Sequence, residues 1–327
     1  MSGMLFELLD VQKTYRIGPA GAGLLARGQP RLLRALDGIR LEVGKGDSVA
    51  LVGESGSGKS TLLRVLLGLT PASDGRALYR GHDVGALKAA PRARFQREVA
   101  MIYQDARGSL NPRLSVLDLI AEPIRHHRLR QGPAVAERVA ELLDQVGLPR
   151  ATLQRYPSQL SGGQVRRVAI ARALASEPLT IVADEAVSGL DVSTQAQLLN
   201  LLRELQRSMG LTLIFITHDL GVASFLCARI AVMYLGRIVE TGPTRAILSQ
   251  PAHPYTRALL NAQPRFFAPI ADPLEGEIPS PIDLPRGCRF AGRCPRAVAA
   301  CTEADPDLTS LAAGRAVACI RPLASAS

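Results

Sequence analysis

The chain has 327 residues, 47% hydrophobic and 21% charged, which excludes a disordered polymer and exceeds a typical single domain. Its net charge is +10, yet charge-free stretches reach only eleven residues, as in Ser208 to His218, against roughly 20 apolar residues for a membrane-spanning helix. Met1 to Tyr15 carries Glu7 and Asp10 and no long apolar core, so no secretory signal is expected there.

Residues 5–15 and 39–52 read as β-rich, the second stretch ending in Ser-Val-Ala-Leu-Val before a glycine loop. Helical periodicity runs from Ser60 to Leu69, and Pro71 stops it. Residues 91–172 read as mainly helical, with apolar spacing over Val135 to Val146 and again over Gly163 to Ala175. The same segment holds 14 Arg against 7 acidic residues. Such a basic zone suits phosphate backbones, an anionic membrane surface or a solvated helical face. Phe and Tyr are sparse among those arginines, which counts against base stacking, and no nucleic acid is expected among the partners. Two apolar β-type runs follow, Leu179 to Ala183 and Leu211 to Thr217, with the helix Gln195 to Met209 between them. Strands alternating with helices indicate an α/β class with a mainly parallel sheet. From Gln250 onward proline becomes frequent and periodicity fades, marking an irregular C-terminal extension.

Gly53-Glu54-Ser55-Gly56-Ser57-Gly58-Lys59-Ser60 fits G-x-x-x-x-G-K-[ST] between a strand and a helix. Its glycines, Gly53, Gly56 and Gly58, let the backbone curl so that N–H groups, including that of Ser55, face phosphate oxygens. Lys59 is expected on the β- and γ-phosphates of a triphosphate, and Ser60, with Thr61 beside it, near Mg²⁺. After the strand ending at Ala183, Asp184 is expected to hold Mg²⁺ and Glu185 to act as general base on water. Leu160-Ser161-Gly162-Gly163-Gln164 opens a second helix N-terminus suited to anions, which makes sense if it serves a neighbour's nucleotide.

With these motifs in order, residues 5–250 resemble the ATP-binding cassette (ABC) proteins. The resemblance implies a RecA-like parallel sheet with an antiparallel β subdomain and an α-helical subdomain over about residues 106–172. It implies a nucleotide-binding domain over 1–250 and the extension over 251–327. Gln104 in Tyr103-Gln104-Asp105 resembles the glutamine-loop residue, which contacts Mg²⁺ and the membrane partner in that family. Ser188-Gly189-Leu190-Asp191 resembles the dimer-contacting loop, although Ala is commoner than Gly at its second place. His218 resembles the histidine that senses the γ-phosphate, and Tyr15 sits where the family places a ring under adenine. The family's two cassettes sandwich two ATP molecules, with Ser161 touching the neighbour's γ-phosphate.

Three segments, QDARGSLNPRLSVLDLIAEP from Gln104, DEAVSGLDVSTQAQLLNLL from Asp184 and HPYTRALL from His253, look like the dipeptide, oligopeptide and nickel importer group. The insertion Ile17 to Leu33 is similar to one of that group's two paired cassettes, implying a heterodimer with a paralogous cassette. Further implied partners are two transmembrane permease subunits and an extracytoplasmic solute-binding protein, with this chain peripheral on the cytoplasmic face of the cell membrane. Nickel, glutathione and sugars are alternative solutes in the same group, and a soluble non-transport ATPase is the remaining alternative.

Cys288, Cys294, Cys301 and Cys319 have spacings x5, x6 and x17. Clustered cysteines in a protein without a secretory signal point toward metal, and the spacing is not a CxxC knuckle, so zinc is less natural. Gly287-Cys-Arg-Phe-Ala-Gly-Arg-Cys-Pro295 resembles importer-cassette tails, some of which hold a 4Fe-4S cluster. A cluster and reduced, unligated thiols both stand as readings. Cys227, within an apolar run, reads as core.

Overall fold

The structure is a computed structural model that describes residues 3–18, 31–262, 276–311 and 314–323. The insertion expected over 17–33 therefore lies mostly outside the described residues. The chain divides into two compact units, one of residues 1–3, 44–48 and 87–216, the other of residues 4–43, 49–86 and 217–327.

In the second unit, strands run in the order Arg31–Gly44, Met4–Ile17, Asp74–Tyr79, His82–Asp83. Met4–Ile17 pairs antiparallel with Asp74–Tyr79, Phe6 opposite Tyr79 and Leu8 opposite Ala77. Ile39, Leu41 and Val43 are buried at a spacing of two, as a one-faced antiparallel strand requires. Ser48–Val52 is buried at every position and pairs in parallel with Arg229–Tyr234. Arg237–Pro243 then pairs antiparallel with Arg229–Tyr234, and the extension adds Arg315–Val317 and Thr309–Leu311 beyond it. The extension is thus largely irregular but contributes two short strands, along with the helix Pro254–Asn261. The helix expected from Ser60 to Leu69 spans Lys59–Leu66, ending ahead of Gly68, whose φ of 64° is left-handed.

In the first unit, Val99–Ile102, Thr180–Asp184 and Thr212–Thr217 form a parallel set. Helices Val116–His126, Pro133–Gln145 and Gly162–Leu174 pack on one another, and their Leu119, Ile120, Val139, Leu142, Val168 and Ile170 are buried. Ser115 caps the first of these by accepting from the Asp118 N–H at 3.1 Å. Helix Val192–Met209 stops at Gly210, at φ 63°. The reading of 91–172 as mainly helical missed Val99–Ile102, because four residues are too few to show a period of two among helical neighbours. Many of its arginines are taken up locally, Arg97 and Arg130 by Glu177, Arg125 by Asp118, Arg138 by Glu141, Arg150 by Asp144 and Arg172 by Glu122. That pairing favours the solvated helical face for the basic zone.

Candidate functional site

The buried strand Ser48–Val52 runs straight into the loop Gly53–Ser60. A Cβ at Gly53 would lie 2.2 Å from the Met233 carbonyl oxygen, so no other residue fits. Gly58 holds φ 103°, and a Cβ there would lie 2.6 Å from the Ala35 carbonyl oxygen. Gly58 also stands at the N-cap of Lys59–Leu66, where no side chain caps the first turn. The helix start is thereby kept open to an anion. Lys59 is buried and folds over the loop, its Nζ donating to the carbonyls of Gly53 at 2.6 Å and Glu54 at 2.8 Å. Ser55, Gly56 and Ser60 are exposed at the rim, and Thr61 is half-buried.

The same unit carries Tyr15 and His218. Tyr15 is half-buried with Lys13 Nζ 5.2 Å from its ring centre. His218 is exposed directly after the strand Thr212–Thr217. Asp219 beside it accepts from the N–H groups of Gly221 and Val222.

The first unit carries the remaining predicted residues. Asp184 ends its strand opposite Ile216, and the Glu185 N–H donates to the Ile216 carbonyl at 2.9 Å. Glu185 has φ 41°, a left-handed conformation rare outside glycine, asparagine and aspartate. Gln104 Nε2 donates to Glu185 Oε2 at 2.9 Å, so the glutamine loop and the predicted base meet directly. Ser161 caps Gly162–Leu174 reciprocally with Gln164. Its hydroxyl accepts from the Gln164 N–H at 3.3 Å, and Gln164 Oε1 accepts from the Ser161 N–H at 3.1 Å. Gly163 is close-packed, since a Cβ there would meet Thr194 Cγ2 at 3.1 Å. The Asp191 carboxylate caps Val192–Met209 through the Thr194 N–H at 2.9 Å and accepts from the Ser193 hydroxyl at 2.7 Å. Those hydrogen bonds, the Ser193 one foremost, hold its pKa down to about 2.

Sequence reasoning missed Arg166. Its guanidinium donates to the carbonyls of Ala186 and Ser188, tying the helix that follows the signature to the segment after Glu185. Burial lowers its pKa, and the two carbonyls solvate its charge. An arginine three residues past a glycine pair is the local signal, but its acceptors lie about twenty residues away in sequence.

Cys288, Cys294, Cys301 and Cys319 all line one cavity of about 20 Å³, with His253 and Phe290. Burial pushes the Cys288 thiol up to about 11 and raises those of Cys294 and Cys319. The structure lends the metal reading no support. Among the described residues no three His, Cys, Asp or Glu side chains form a group that could hold a metal ion. The tail is organised instead by buried arginine–carboxylate pairs. Arg289 bonds Asp37, Asp305 and the Leu235 carbonyl, Arg293 bonds Glu54, and Arg315 bonds Glu240, a residue with no exposed surface. Cys227 is core as expected, its thiol pushed up to about 12 by burial.

The sequence profile described as "ABC transporter" matches residues 36–188, and that of the "Oligopeptide/dipeptide transporter, C-terminal region" matches residues 239–301. A probable peptide ABC transporter ATP-binding protein of Sinorhizobium fredii is 45% identical over 98% of this chain and 90% of its own length. The chain belongs to the ABC transporter family. The oligopeptide transport ATP-binding protein OppF of Escherichia coli is 45% identical over 85% of each chain. Among solved structures, the ATP-binding cassette MJ0796, a dimer in a post-hydrolysis state bound to ADP and Pi, superposes with a TM-score of 0.64. It is 30% identical and is matched over 74% of this chain and 99% of that one. This cassette is therefore an ATP-binding, ATP-hydrolysing subunit of the α/β fold expected, joined to a C-terminal region of the oligopeptide and dipeptide transporter type.

Proposed function

We propose that the chain powers a bacterial importer of di- and oligopeptides from the cytoplasmic face of the membrane, coupling ATP hydrolysis to uptake through separate permease subunits fed by a solute-binding protein. The observation that carries this reading is the C-terminal match over residues 239–301, together with 45% identity over most of the chain to peptide-transport ATP-binding subunits. Among the described residues no helix is long and apolar enough to cross a membrane, which suits a subunit that borrows its membrane passage. The domain division follows the same lines, a nucleotide-binding domain over 1–250 and the extension over 251–327.

In this reading the loop N–H groups and Lys59 hold the β- and γ-phosphates, and Tyr15 lies under the adenine. Ser60, Asp184 and Gln104 would supply oxygen ligands to Mg²⁺. The chemistry of these donors suits the metal, because Mg²⁺ takes hard oxygen ligands, one or two carboxylates among them, and completes its shell with phosphate and water. Glu185 polarises the attacking water, supported by its left-handed backbone and its hydrogen bond from Gln104. His218 stabilises charge on the γ-phosphate. Ser161 to Gln164 serve the nucleotide of a second cassette, for which a paralogue is proposed, and Asp191 stands at that contact. Catalysis in such a site is positioning and electrostatics.

The test is reconstitution with the permeases in liposomes. ATPase should rise when the solute-binding protein is loaded with peptide, and Glu185→Gln should keep ATP binding while turnover falls at least a hundredfold. Stimulation by nickel, glutathione or a sugar instead of peptide would reject the peptide assignment, and near-normal ATPase in Glu185→Gln would reject the base.

A further inference from the structure

We infer that the C-terminal extension clamps the phosphate loop from behind through Glu54, making Arg293 and Tyr255 positioning residues for nucleotide binding. Glu54 is one of the unspecified positions of the loop pattern, and every polar group it owns is engaged. Its carboxylate takes a two-pronged bond from Arg293, at 2.8 Å and 3.1 Å. Its N–H donates to the Tyr255 hydroxyl at 2.9 Å. Its carbonyl accepts from the Ser57 N–H at 3.2 Å and from Lys59 Nζ at 2.8 Å. The residue that anchors the extension is thus the same residue that fixes the ammonium meant for the phosphates.

The clamp itself is buried. Tyr255 has no exposed surface, and the Arg293 side chain is only 6% exposed. The Tyr234 and Tyr255 rings stand 4.6 Å apart, with Phe290 5.4 Å from each. Tyr234 Oη accepts from Arg293 at 3.4 Å. Arg293 lies on the turn Ala291–Arg293, between Cys288 and Cys294 of the thiol-lined cavity.

Two consequences follow for ATP. Without Arg293, Glu54 would be an uncompensated carboxylate beside a site that must accept a polyanion, and like charges oppose binding. Without either partner, the peptide carrying two of Lys59's acceptors would lose its tether, and preorganisation would fall. The inference rests on residues 53–60 being the triphosphate loop, so Lys59→Ala serves as the control for that reading.

The measurement is ATP affinity of the full chain with Mg²⁺, by displacement of a fluorescent ATP analogue, with thermal melting alongside. Arg293→Met should weaken ATP binding by about tenfold, or about 1.4 kcal/mol. Adding Glu54→Gln to Arg293→Met should recover most of that loss, because the remaining amide carries no charge. Arg293→Lys should retain part of the affinity, and Tyr255→Phe, which deletes one oxygen, should weaken binding about threefold. A structural role alone lowers the melting temperature of Arg293→Met and leaves ATP affinity within twofold, and that result overturns the clamp. So does a double variant no better than the single one. Should Arg293→Met fail to fold, Tyr255→Phe and Glu54→Gln decide: parental affinity in Tyr255→Phe sinks the proposal. Unchanged ATP binding in Lys59→Ala would instead sink the loop reading.

Discussion

Two helices in this chain begin at glycine-rich segments, and they begin differently. At Lys59–Leu66 the N-cap is Gly58 and no side chain caps the first turn. At Gly162–Leu174 the N-cap is Ser161, closed by a reciprocal bond with Gln164. The first start is left for a ligand to complete, whereas the second is complete by itself and needs Ser161 to turn toward an anion when one arrives. The difference separates a site that holds nucleotide within one chain from one that engages only on assembly, as proposed above.

That contrast can be broken by substitution. Gly58→Ala should have the largest effect, because φ 103° and the 2.6 Å approach to the Ala35 oxygen leave no room for a methyl group. ATP binding by the isolated chain should fall by a hundredfold or more, measured by analogue displacement. Ser161→Ala should leave that affinity unchanged and lower chain stability by about 1 kcal/mol, the usual worth of a serine cap. In the assembled transporter the same variant should depress ATPase. If it weakened ATP binding by the lone chain, the division between the two starts would be wrong.

A third helix start sharpens the comparison by pH. Asp191 caps Val192–Met209, and its pKa is lowered from 3.8 to about 2. A depressed carboxylate contributes stability above its unfolded value and loses it as pH falls through the folded one. Acid unfolding of the parent between about pH 4 and pH 2 should therefore be blunted in Asp191→Asn, followed by circular dichroism. The smallest effect is expected from Gln164→Ala, which removes only the returning half of the capping box and should cost about 0.5 kcal/mol in a urea titration.

Much of this was legible in the chain. The phosphate loop, the strand before it and the signature are runs of adjacent residues whose spacing carries the physics. So were the buried strands Thr180–Asp184 and Thr212–Thr217, whose apolar runs need no partner to be recognised. What stayed hidden are contacts between residues far apart in sequence. Arg293 and Glu54 are 239 positions apart, and nothing in the local pattern around either names the other. Gln104 and Glu185 were each assigned a role, yet their mutual bond spans 81 positions. The cysteines drew attention in the tail because of their spacing. The arginines among them, which organise it, look in sequence like ordinary surface charge.

Cys227 offers a use outside catalysis. Its thiol, pushed up to about 12 and buried where the helix Leu220–Leu226 ends, reacts with an alkylating reagent only when that region opens. In a variant with the four tail cysteines replaced by serine, its alkylation rate relative to a free thiol becomes a clock for local opening. With and without nucleotide, that clock would report how far ATP tightens the segment that follows His218.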